Sequence, residues 1–135
     1  MPFSSGLLRD DGFRSSADGR IAIEARVPWM RSLPWDCVLD ITVTLDDEAI
    51  PIDALRFTTA DGESGSFEEL RALDGYWVIG EPLTISWGTV ADEPPTDAVV
   101  TLAVRILIPY MVLPGGAAAR ETFTVERRLH RSAAD

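Results

Sequence analysis

Two strand-like runs of this chain end in nearly the same phrase, and each phrase opens and closes with proline. Ile21-Ala22-Ile23-Glu24-Ala25-Arg26-Val27 leads into Pro28-Trp29-Met30-Arg31-Ser32-Leu33-Pro34. Val99 to Ile108 leads into Pro109-Tyr110-Met111-Val112-Leu113-Pro114. Trp29 and Tyr110 keep the parity of the apolar rows before them. Proline gives no donor to a ladder and is confined to strand ends and edges, so both phrases are expected to leave the hydrogen-bonded sheet on stiff turns. Stiff, apolar turns at strand ends suggest a contact surface.

Strand signals dominate the remainder, at short spacing and separated by turn residues, which is the pattern of a sandwich or barrel. Asp18-Gly19 opens a strand over about 20–29. Over residues 38–45, Leu39, Ile41, Val43 and Leu45 alternate with Asp40, Thr42 and Thr44, as a half-buried strand requires. Asp46-Asp47-Glu48 turns the chain into Ala49-Ile50-Pro51-Ile52, and Leu55-Arg56-Phe57-Thr58 reads as another short strand. Asp61-Gly62-Glu63-Ser64-Gly65 reads as a loop. Ser66-Phe67-Glu68-Glu69 has capping-box spacing, in which hydroxyl and carboxylate each take the other residue's amide, and predicts one helical turn. Tyr76-Trp77-Val78-Ile79 and Leu83-Thr84-Ile85-Ser86-Trp87 flank a tight Gly80-Glu81-Pro82 connection, and residues 88–98 form a Pro- and acid-rich loop. The long strand over about 98–108 and a last one over about 120–129 complete the set, with 130–135 expected to fray. The chain is therefore read as one domain over 1–135, an all-β antiparallel β-sandwich of about eight strands with one short helical turn.

Composition narrows the chemistry. At 135 residues a single core needs no staples, and the lone Cys37 excludes an internal disulfide and reads as a small buried hydrophobe. The first thirty positions hold no apolar run framed as a signal, and no span long enough for a membrane follows, so a cytoplasmic location and no membrane partner are expected. The net charge is −10, from 22 acids against twelve arginines and no lysine, leaving no positive field for nucleic acid. Without lysine there is no Schiff-base chemistry. His130, the one histidine, stands among Arg127, Arg128 and Arg131 and reads as a solvated surface group. Asp46-Asp47-Glu48 and Asp92-Glu93 lack the alternating oxygens and fixed glycine of a calcium loop. No phosphate-binding glycine loop occurs. No catalytic residue and no metal ligand is assigned to this chain.

The aromatics say more. Phe57 and Trp87 belong in the core, joined by Trp77 or Tyr76. For Trp29, Trp35 and Tyr110, beside prolines at strand ends, core closure and an interface role both stand open, because aromatics, Met and Arg are the types enriched at protein contacts. Pro28, Trp29, Met30, Arg31, Leu33, Trp35, Tyr110, Met111 and Leu113 are the candidate interface or substrate-proximal residues.

Several segments in order carry a resemblance over about residues 20–127. They are residues 26–34, then Phe57-Thr58 ahead of an Asp-Gly loop and Phe67-Glu68-Glu69-Leu70, then Trp77-Val78-Ile79-Gly80-Glu81-Pro82, and finally residues 104–111. Together they resemble the small β subunit of the bacterial C-glycoside deglycosidases. Ser32 departs from the pattern, where a turn glycine is expected after Arg31, and the Ser64-Gly65-Ser66 loop is local to this chain.

The resemblance implies a two-subunit carbon-carbon lyase. Its α subunit resembles sugar-isomerase TIM barrels and carries a divalent metal, manganese being the expected one, while the β subunit is a sandwich clamped against it. The implied substrate is a C-glycoside, of flavonoid type, already oxidised to a 3-oxo sugar. The ketone acidifies the hydrogen at C2, a base removes it, the metal holds the enolate oxygen, and elimination expels the aglycone from C1. The rival reading is a stand-alone carbohydrate-binding sandwich that stacks sugars on Trp29, Trp35 and Tyr110.

Overall fold

Alternating apolar residues become paired strands through most of the chain. The computed structural model describes residues 7–8, 13–15, 20–27, 31–88, 97–112, 114–130 and 132–133. Its strands are β1 (Arg14–Ser15), β2 (Arg20–Ala25), β3 (Leu33–Pro34), β4 (Val38–Leu45), β5 (Glu48–Ile50), β6 (Arg56–Thr58), β7 (Ser64–Gly65), β8 (Tyr76–Trp77), β9 (Leu83–Gly88), β10 (Asp97–Val112), β11 (Ala118–His130) and β12 (Ser132–Ala133). One helical turn, α1 (Phe67–Arg71), and two short 3-10 turns complete the described elements. The fold is all-β, as the alternation predicts.

Two large sheets face one another. The first has the order β12-β1-β2-β9-β6-β7, and the second β11-β10-β4-β5. Every pair is antiparallel except β1 with β12. Inward rows from both sheets make one core. Ile21, Ile23 and Ala25 of β2 lie opposite Trp87, Ile85 and Leu83 of β9, and Val100, Leu102, Val104, Ile106 and Ile108 of β10 face them from the other sheet. Phe57, Trp77 and Trp87 are all buried, whereas Tyr76 points outward.

Two local devices shape this frame. Asp46 and Asp47 both have positive φ, at 49° and 69°, the requirement of a two-residue hairpin that matches strand twist. Asp46 also ties the hairpin to β10, its amide donating to the Val99 carbonyl and its carboxylate accepting from the Val99 amide, both at 2.9 Å. At α1 the capping box forms as its spacing predicts: the Glu69 amide donates to Ser66 Oγ at 3.2 Å, and the Ser66 amide donates to Glu69 Oε1 at 3.0 Å. Gly65 leaves room for it, since a Cβ there would lie 2.9 Å from Glu69 Oε1.

The structure corrects three readings. The ladder of β2 ends at Ala25 rather than 29. In β4 the inward row is Val38, Ile41 and Val43, with Leu45 partly buried against the core, rather than Leu39, Ile41, Val43 and Leu45. The register slips between Arg105–Asp40 and Ile106–Val38, and a bulge carries one extra residue that shifts parity. The tail does not simply fray: Ser132–Ala133 pairs in parallel with Arg14–Ser15, because this edge of the first sheet offers free ladder groups close to where β11 ends.

Candidate functional site

The described parts of the two proline phrases lie at one end of the sandwich. Val38, just after Pro34, pairs with Ile106, just before Pro109. The ladder between β10 and β11 then lapses: Ile108 pairs with Ala119 and Val112 with Ala118, so Pro109, Tyr110 and Met111 have no opposite residues. The backbone of the second phrase is thereby carried out of the ladder, as proline at its start requires. Tyr110 and Met111 are described in backbone only, and Pro28, Trp29, Met30 and Leu113 lie outside the described residues.

The first phrase is seen from Arg31 onward. Arg31 is exposed. Leu33 and Trp35 are buried, at 1% and 6% exposure, and belong to the core; for Trp35 the alternative realised within this chain is core closure. The cause is β8, whose Trp77 lies opposite Leu33 in a separate two-stranded sheet of β3 and β8. Trp35 follows in a 3-10 turn and stacks on Trp77, with centroids 5.8 Å apart and planes 12° apart, a geometry that contributes about 0.5–1.5 kcal/mol beyond area. Among the described residues, the buried indole N–H of Trp77 has no acceptor.

Consecutive residues of a strand face opposite ways, so with Trp77 inside, Tyr76 and Val78 are presented outward. Tyr76 is 59% exposed, Val78 40% and Ile79 52%. A turn holds them: the Glu81 amide donates to the Val78 carbonyl at 3.0 Å, across Gly80 at φ 86°, and the Ile79 amide donates to Ser32 Oγ at 2.8 Å. Ser32, the departure noted in the first phrase, is thus the link that fastens this turn to it. Beside the turn lies a groove of about 210 Å³ between Trp35, Tyr76, Trp77 and the 59–63 loop. A second cavity, of about 460 Å³, lies under α1 between Phe57, Gly65, Leu70 and Leu73, and Glu63 borders both.

Other candidate chemistry is absent among the described residues. No group of three or more His, Cys, Asp or Glu side chains is placed to hold a metal, and no helix is long and apolar enough to cross a membrane. Cys37 is buried, and its thiol is pushed up from its ordinary pKa by burial first and by neighbouring Asp36 second, which makes it a poor nucleophile at neutral pH. Tyr76, Val78 and Ile79 are not among the candidate site residues, although Val78 and Ile79 fall in a segment that carries the resemblance. Their signal is alternation about an inward Trp77, bounded by Gly75 and Gly80.

No family model matches the chain. It is similar along most of its length to curated proteins. The "C-glycoside deglycosidase beta subunit" of Microbacterium trichothecenolyticum is 32% identical over 109 residues, 80% of this chain and 77% of that one. A protein of the same name from Arthrobacter globiformis is 32% identical over 108 residues, 79% and 82% of the two chains. The "3'-dehydrocarminate deglycosidase beta subunit" of a Microbacterium species is 32% identical over 114 residues, 84% of each.

Proposed function

Since the chain belongs to the C-glycoside deglycosidase β subunits, we propose that it is the non-catalytic subunit of a cytoplasmic carbon-carbon lyase acting on 3-oxo-C-glycosides of flavonoid type. Its partner in this reading is a TIM-barrel α subunit that carries the divalent metal, manganese by expectation, together with the proton-abstracting base. This chain's own part is support: it holds the partner, and its Pro28 and Pro109 phrases finish one side of the site. The observation that carries the reading is extent. About four-fifths of this chain aligns with about four-fifths of each relative, so the likeness embraces the sandwich rather than one motif. With a single histidine, near Arg127, Arg128 and Arg131, and no lysine, the chain offers few groups able to abstract a proton near neutral pH.

The rival reading, a sugar-stacking platform, loses one of its three aromatics, because Trp35 lies inside against Trp77.

Reconstitution tests the proposal. The purified chain, the purified α subunit and their mixture are each given a 3-oxo-C-glycosyl flavonoid, and the free aglycone is measured by chromatography. Aglycone is expected from the mixture only. Turnover by the α subunit alone at the rate of the mixture would refute the supporting role.

A further inference from the structure

The four large apolar side chains exposed among the described residues are Ile52, Tyr76, Val78 and Ile79, so three of them form one shoulder. The shoulder borders the groove, whose charged lining residues are Asp61, Glu63, Asp74 and Glu81. All four are acids and all four are exposed. No arginine among the described residues lines the groove, and two on neighbouring elements are engaged elsewhere: Arg56 Nε donates to Ser64 Oγ at 2.8 Å, and Arg71 donates to the Asp36 carbonyl at 3.1 Å. A cleft lined by one sign of charge concentrates its field on the ligand that enters. At about 210 Å³ the groove falls below the roughly 300–1,000 Å³ usual for small-molecule sites, so its size suits one inserted side chain better than a sugar or an aglycone.

Apolar shoulder and anionic hole together define the occupant. We infer that they dock a segment of the partner subunit in which an arginine or lysine enters the groove while flanking apolar side chains cover Tyr76, Val78 and Ile79. The inference rests on the subunit reading above. A second copy of this chain is the poorer occupant, since each copy carries a net charge of −10 and like-charged faces repel. Exposed carboxylates contribute little while solvated; docking removes water from them and makes the pairing selective.

The experiment measures the dissociation constant of the complex with the purified partner subunit by calorimetry, at about 50 and about 500 mM NaCl, where screening lengths differ severalfold. Tyr76→Ser with Ile79→Ser is expected to weaken binding about tenfold or more, as for central anchors, with the salt dependence retained. Glu63→Gln with Asp74→Asn and Glu81→Gln is expected to weaken binding at low salt and to flatten the salt dependence. Melting temperatures of the free variants should match the parent, because every altered residue is exposed. If the parent complex forms and neither variant changes its affinity or salt dependence, the docking surface is wrong while the subunit reading survives. If the parent chain forms no complex at all, the subunit reading fails and takes the inference with it. If the parent chain instead self-associates in sedimentation and Tyr76→Ser abolishes that, a second copy is the occupant and the inference is overturned.

Discussion

Replacing Trp77 with Phe isolates what an unanswered indole N–H costs. Trp77 is 1% exposed and, among the described residues, its Nε1 has no acceptor, whereas Trp87, 2% exposed, shows no such buried, unanswered N–H among them. The substitution removes about three ring atoms at either site. Two of the three are carbons, so at about 0.8 kcal/mol each Trp87→Phe should lose about 1.5–2 kcal/mol. At Trp77 the same loss is offset by about 1–3 kcal/mol recovered when an unsatisfied buried donor disappears, and a phenyl ring can still lie against Trp35. Trp77→Phe should therefore stay within about 1 kcal/mol of the parent. The measurement is urea unfolding of the three proteins, with stability compared through the midpoints at constant slope. Equal losses at the two sites would refute the argument, showing that the orphaned N–H carries no penalty or that the smaller ring cannot keep the stack.

Other consequences are as direct. Asp46→Ala should cost about 2 kcal/mol, roughly half from a left-handed backbone without a tolerant side chain and half from the lost acceptor for the Val99 amide; thermal melting reads it, and Asp46→Asn should recover most of it. The Glu69 carboxyl is held below its ordinary value of 4.5, first by the Ser66 amide. A lowered folded-state pKa adds stability that is present above pH 4.5 and is lost as pH falls through the lowered value, so Glu69→Gln should flatten the acid limb of the melting profile, and an unchanged limb would count against the box. Ser66→Ala should lose about 1 kcal/mol for the cap in the same melts. Cys37, its thiol pushed up by burial and Asp36, should resist iodoacetamide at pH 7 in the folded chain and react fully in urea; ready labelling of the native protein would place it nearer solvent than described.

What could be read from the residues was whatever is decided within a few positions. The Ser66–Glu69 capping box, the Asp46-Asp47 hairpin and the alternation of β10 are local chemistry, and they stand where their spacing puts them. Phe57 and Trp87 were legible as core because their neighbours alternate. The inward place of Val38 was not, since the bulge belongs to the pairing of β4 with β10 rather than to either sequence. β8 was legible as a strand over 76–79 leading into β9, but β3 was not, and that β8 pairs with β3 rather than with β9 was illegible, since two-residue strands show no period and only their meeting turns Leu33 and Trp35 inward. The described part of the first proline phrase lies beside the shoulder, Ser32 Oγ accepting from the Ile79 amide. Leu33 and Trp35, both named as candidates, now support the shoulder from beneath, while the outward Tyr76, Val78 and Ile79 were marked only as a strand-like run and, for 78 and 79, as part of the resemblance.

Tyr76 and Trp77 are neighbours in sequence but answer to different masters: one meets solvent, the other closes the core against Trp35. A pair of strands only two residues long has no register of its own to fall back on, so the stack and the Ser32–Ile79 hydrogen bond set where the shoulder stands. Over evolutionary time this splits the run into positions that can drift and positions that cannot. Changes at 76, 78 and 79 can retune a surface without unsettling the interior, while 77, 35 and 33 must change together or not at all. A lineage could thus exchange one binding counterpart for another through three outward side chains, keeping the same sandwich underneath.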